Sequence, residues 1–262
     1  AKNINLYDVE ASYIAELVRQ EVISRYGLSA YKQGWSVFTT IDSNSQRIAK
    51  ESMMKELYLY DKRHGWREPL NFASVFNNEQ SLLLDNLDIN FLTSDYFSEI
   101  DLYQDSLINR LLDIFDSLPY YNTHTKAMVI KVEENEGYLI NENFELITIS
   151  WTSEYKWARQ TVSINQLGKI PNNFFDLLKF GDLVYLKNND NFYILDQIPN
   201  IQASIISMDP NSGEVISYIG GKNFNESNFD RVRLSYPQSG SSFKPFIYSA
   251  GLANEYNLSS LI

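Results

Sequence analysis

Between residues 126 and 196 the chain is written in short β-type runs, and this texture restricts its folding more than any other feature. "KAMVIKVEENEGYLINENFELITIS" reads as three strands separated by the turn segments "EENEG" and "NEN". "GDLVYLKNNDNFYILDQ" adds a hairpin around "KNNDN". Five short strands with one helical segment interposed are expected to curl into a small barrel, which leaves few edges unpaired.

The flanks have a different texture. Over residues 8–26, Tyr13, Ile14, Leu17, Val18 and Val22 recur at helical spacing, and Gly27 follows as a C-terminal cap. "WSVFTTI" has the β-branched and aromatic content of a strand. Ser43 and Gln46 form a capping-box pattern for a second helix running to about Tyr60. The charged segment "DKRHGWREP", residues 61–69, marks a boundary. Residues 79–118 are acidic and helical, with Leu107, Leu111, Leu112, Phe115 and Leu118 on one face and the carboxylates on a solvated one. Later, "QASIISMDPNSGEVISYIGG" is a hairpin in which Pro210 presets the turn and Gly213 takes positive φ.

Composition removes several functions. A net charge of −11 is the wrong sign for nucleic acid, so an OB-type barrel here suits protein docking or spacing better than base stacking. With no cysteine, disulfides and thiolate metal sites are excluded. Only His64 and His124 are available for a histidine-based centre, and no cofactor or metal site is expected. At roughly 150 residues per domain, the 262 residues imply about two domains. No apolar run approaches the roughly 18 residues of a membrane span.

The candidate chemistry lies near the end, in "QSGSSFKPFIYSAG". A Ser-x-x-Lys spacing alone says little, because four copies occur: Ser29–Lys32, Ser52–Lys55, Ser153–Lys156 and Ser241–Lys244. Only Ser241 follows a glycine at a helix N-terminus. There, the free amides favour developing oxyanion charge, and Lys244 lies one turn on and within reach of Oγ. Burial would let the lysine shed its proton. Phe246, Ile247 and Ala250 are expected to anchor the helix by burial. On these local facts a capped helix with a surface lysine fits as well as a catalytic pair.

Longer stretches carry more. "SMDPNSGEVISYIGGKNFNESNFDRVRLSYPQSGSSFKPFIYSAGL", "GWSVFTTIDSNSQRIAKESMMKELYLYDKRHGWR", "ISWTSEYKWAR" and "GDLVYL" resemble, in order and spacing, the class A bifunctional penicillin-binding proteins of the 1A type. The resemblance implies an α+β fold, with an OB-like small barrel inserted into the N-terminal part of a β-lactamase-like transpeptidase domain. It divides the chain into residues 1–66 (linker and first helix and strand), 67–198 (acidic helical lead-in and barrel) and 199–262 (start of the transpeptidase). It also implies that Ser241 is the acylated nucleophile and Lys244 its proton partner. The substrates would be peptidoglycan stem peptides and β-lactams.

The full-length protein would also be a glycosyltransferase, periplasmic and tethered to the inner membrane through a segment upstream of residue 1. An outer-membrane lipoprotein activator is the partner expected at the inserted module. The family's Ser-x-Asn and Lys-Thr-Gly motifs are expected after Ser241, and neither occurs before Ile262. Ser163–Ile164–Asn165 has the right letters on the wrong side, and we read it as coincidence. The segment by itself is therefore expected to be inactive. A free-standing OB-type adaptor and a serine β-lactamase relative are the competing readings. Residues 35–60 and 201–262 should form one body around the insertion.

Overall fold

A computed structural model describes residues 9–75, 105–163, 166–189 and 192–260. Its centre is an antiparallel sheet in which β2 (His124–Val132) pairs with both β3 (Glu136–Asn141) and β7 (Asp182–Asn189). β4 (Leu146–Ser150) pairs with β3, while β8 (Phe192–Asp196) pairs with β7. A two-residue β1 (Leu70–Asn71) joins the start of β7 and extends the expected five strands to six. β4 and β8 draw together, so the sheet curls on itself.

The run "AMVI" is apolar at every position because its strand is covered on both faces. Ala127 and Val129 point into the barrel with Leu139, Ile149, Val184 and Leu186. Met128 and Ile130 point outward and pack under α3 (Asp105–Asp116) with Leu111 and Phe115. Lys126 sits among them, buried, and its Nζ donates to Phe115 O at 2.7 Å, which caps the C-terminal end of that helix. The expected apolar face of α3 is corrected by one position. Leu112 is exposed and Ile114 packs inward instead, while the Leu107 side chain and residues 76–104 lie outside the described part. Two further small strands, β5 (Thr161–Ser163) and β6 (Gln166–Leu167), form a side hairpin. Ser163 lies there, and Ile164 and Asn165 fall outside the described residues.

A second body forms on β9 (Ile205–Met208) and β10 (Val215–Ile219), an antiparallel hairpin. Its turn is braced by the Asp209 carboxylate, which accepts from the Asn211 and Ser212 amides, and Gly213 has φ 76°. α2 (Ser43–Arg63) lays Met53 and Leu57 on Ile219. α1 (Ser12–Tyr26) starts later than expected, ends at Gly27 with φ 71°, and buries Tyr13.

Two expectations fail here. The capping box does not form: Asp42 is the cap and accepts from Ser45 N at 2.7 Å. Gln46 instead turns its amide inward, where it accepts from Tyr218 N at 2.8 Å and donates to Tyr218 O at 3.0 Å. It completes the edge of β10 as a neighbouring strand would, and that buried demand outweighs a solvent-side cap. "WSVFTTI" is not a strand. Thr40 Oγ1 donates to Val215 O and Asp42 N, just after the run, donates to Ile216 O, but no ladder forms and Phe38 is 92% exposed.

Candidate active site

Gly240 has φ 51°, the left-handed region that a side chain resists, and it turns the chain into a 3₁₀ turn over Gly240–Phe243. That turn runs directly into α5 (Lys244–Ala253). Pro245 is tolerated because the first turn donates no intrahelical bonds. Lys244 N donates to Ser241 O, so the two residues stand one turn apart, as expected.

Enclosure is missing. Ser241 and Lys244 are both exposed. The expected anchors fail too: Phe246 is 66% and Ile247 56% exposed, and Ala250 is exposed. Among the described residues none after Asp230 is buried. The helix therefore follows from its glycine, proline and local bonds rather than from packing. The other copies separate less cleanly than their context suggests. Ser29 and Ser153 also sit in 3₁₀ turns, Leu28–Lys32 and Ser153–Trp157, while Ser52 lies within α2. What distinguishes Ser241 is the left-handed glycine before it and the α-helix directly after.

Polar groups overlooked in the sequence gather where the barrel meets α2. Asp196 receives Lys62 Nζ at 3.1 Å and lies 3.4 Å from His124 Nε2. Burial works against ionising Asp196, but His124 and Lys62 outweigh it and hold the carboxyl below its ordinary value. His124 stacks on Tyr58 with ring centroids 5.5 Å apart. Nearby, Asp61 accepts from Arg67 Nη1 at 2.7 Å and Gln197 Nε2 at 2.8 Å. Buried Lys222 donates to Pro199 O at 2.6 Å and stands 3.0 Å from Glu226, which also accepts from Tyr121 OH. Burial pushes the Lys222 ammonium down, and Glu226 opposes it. These side chains satisfy one another across the barrel–α2 boundary, and none is placed against Ser241. The available signal was a charged residue inside an apolar or glycine-rich run, as with Lys222 after "IGG".

Comparison with known proteins gives the class. Residues 98–201 match the family described as the penicillin-binding protein OB-like domain. Penicillin-binding protein 1A of Pseudomonas aeruginosa is 33% identical over 256 residues, covering 97% of this chain and 27% of that protein. The Escherichia coli K12 protein of the same name is 29% identical over 252 residues, covering 96% of this chain and 27% of its own length. The crystal structure of penicillin-binding protein 1A from Haemophilus influenzae superposes with a TM-score of 0.70 at 26% identity. That match covers 97% of this chain and 32% of that one.

The chain is therefore a penicillin-binding protein sequence with the OB-like domain of that class. Within the class, it is of the 1A type. It spans about a quarter of the length of the curated relatives it matches, 27% in both cases above. No helix among the described residues is long and apolar enough to cross a membrane.

Proposed function

We propose that this chain carries the nucleophile of a peptidoglycan D,D-transpeptidase. The observation that supports it most is the left-handed Gly240 turn that sets Ser241 at the mouth of α5 with Lys244 one turn on, in a chain similar to 1A-type proteins over nearly its whole length. Ser241 Oγ attacks the carbonyl carbon between the two D-alanines of a stem peptide and passes its proton on, with Lys244 as the first partner. The amide bond breaks, the terminal D-alanine leaves with a proton on its nitrogen, and an ester joins the peptide to Ser241. An amine of a neighbouring stem peptide then displaces Ser241, giving the cross-link and restoring the hydroxyl. A β-lactam enters the same first step, and its opened ring stays attached.

A lysine takes that proton where burial or a neighbouring positive charge lowers its pKa. Lys244 is exposed here, so the reading requires further chain to enclose it, and the 262 residues alone are inactive under it. Residues 67–198 form an insertion between residues 1–66 and 199–262, placed to dock an outer-membrane lipoprotein activator. The whole protein is also a glycosyltransferase, held at the inner membrane and facing the periplasm.

Intact-mass spectrometry of the full-length protein after benzylpenicillin treatment tests the chemistry. One adduct per chain on the peptide holding Ser241, lost in Lys244→Ala, is expected. An adduct elsewhere, or none, refutes the assignment.

A further inference from the structure

The loop of residues 220–230 lies between β10 and α4 (Arg231–Leu234), and three separate elements bind it. From α1, Tyr13 OH donates to Ser227 O at 2.6 Å, and the Tyr13 ring meets Phe224 edge-on at 5.0 Å. The pair Gly220–Gly221 permits this, because a Cβ on Gly220 would stand 2.5 Å from Tyr13 Cδ1. From α2, Lys50 Nζ donates to Lys222 O at 2.6 Å. From the segment leading into the OB-like module's β2, Tyr121 OH donates to Glu226 and Tyr120 O accepts from Asn223 Nδ2 at 3.3 Å. The loop's exit is equally fixed: Asp230 caps α4 at Val232 N and accepts from Tyr218 OH at 2.6 Å. Asp230 is also the last buried residue described. Beyond it, the only bond to another element found among the described residues before Ser241 is the exposed one from Arg233 Nη1 to Gln20 Oε1 of α1, at 3.4 Å, so Ser241 is held to the body chiefly through this loop.

We propose that the 220–230 loop is a coupling node through which α1 and the OB-like module jointly set the placement of Ser241, with Tyr13 and Tyr121 as positioning residues. The proposal rests on the reading of Ser241 as the nucleophile. Tyr13 and Tyr121 reach adjacent residues of the loop, Ser227 and Glu226, and belong to elements far apart in sequence. A change in either element thus reaches the same segment, and the two effects should interact.

The test uses the full-length protein and a fluorescent penicillin, with the second-order rate and the final stoichiometry of labelling at Ser241 read separately. Each removes one hydroxyl donor to the loop (Tyr13 OH also lies 3.4 Å from Asn223 O), so Tyr13→Phe and Tyr121→Phe should each slow labelling about fivefold while leaving the stoichiometry unchanged. Because the effects share one loop, the double variant should fall short of the product of the two. Phe192→Ala, on the exposed β8 of the module, should leave the rate unchanged. Thermal destabilisation with unaltered rates, or a double variant equal to the product, overturns the node. If the wild type does not label at Ser241, the nucleophile assignment fails instead, and hydrogen exchange then decides the node. Faster exchange across residues 222–227 in both variants supports it, and unchanged exchange overturns it.

Discussion

The OB-like module and the Ser241 segment are opposite cases of the same chain. In the module, β2 is buried on both faces, with the barrel interior on one side and α3 on the other. From residue 235 to residue 250 every side chain is exposed, though a left-handed glycine, a proline and an α-helix are all in place. One region owes its shape to packing and the other to local signals. On the proposed reading, Ser241 stands in a turn built by local signals while lacking the surroundings that would activate it.

Matched truncations should show the contrast most strongly. Phe115→Ala removes a ring that is 1% exposed between α3 and the sheet, and should cost about 3–5 kcal/mol by denaturant titration of this chain. Phe246→Ala, 66% exposed, should change stability by no more than about 0.5 kcal/mol. Equal losses would remove the distinction.

Between these extremes lies Gly220→Ala. Its Cβ would stand 2.7 Å from Tyr13 Cγ and 2.8 Å from Asp230 Oδ1, and overpacking of this kind costs about 1–3 kcal/mol. Thermal melts of this variant beside Gly220→Ala/Tyr13→Ala should show the second change recovering part of the loss. Gln46→Ala leaves the Tyr218 N–H and C=O without their side-chain partner, an expected loss of about 1–3 kcal/mol. Faster exchange of the Tyr218 amide would report the same event locally.

The smallest effect is a pH dependence at the barrel–α2 boundary. Burial raises Tyr58, Tyr121 and Tyr185 above the ordinary phenol value, with nearby carboxylates adding to it. A phenol whose folded pKa is raised holds its proton more tightly folded than unfolded. Its contribution is therefore complete below pH about 10 and drains away as the pH rises further. The melting temperature should fall more steeply between about pH 10 and 11 than it does in Tyr121→Phe.

The five longer barrel strands were legible because β-branched or aromatic runs and turn signals agreed at each of them, whereas the two-residue β1 carries no such signal. The second body was legible in its helices and hairpin but not in how they join. Gln46 satisfies a capping pattern in the letters, yet its amide serves the edge of β10, 172 residues away in sequence. "WSVFTTI" has strand composition without a ladder, since pairing depends on a neighbour that no local pattern specifies. The Ser241 turn was readable because glycine and proline act locally. The boundary residues His124, Asp196 and Lys222 were not, because a polar side chain looks solvated until the chain has brought its partners to it.

The most direct measurement is fluorescent-penicillin labelling with peptide mapping of three proteins: this chain, the chain extended through its native downstream sequence, and the extended chain with Ser241→Ala. An adduct on Ser241 in the extended chain alone is the predicted result, since only there would Lys244 be enclosed. Equal labelling of the 262-residue chain would show that enclosure is unnecessary. Labelling that survives Ser241→Ala, or is absent from all three, would contradict the nucleophile itself.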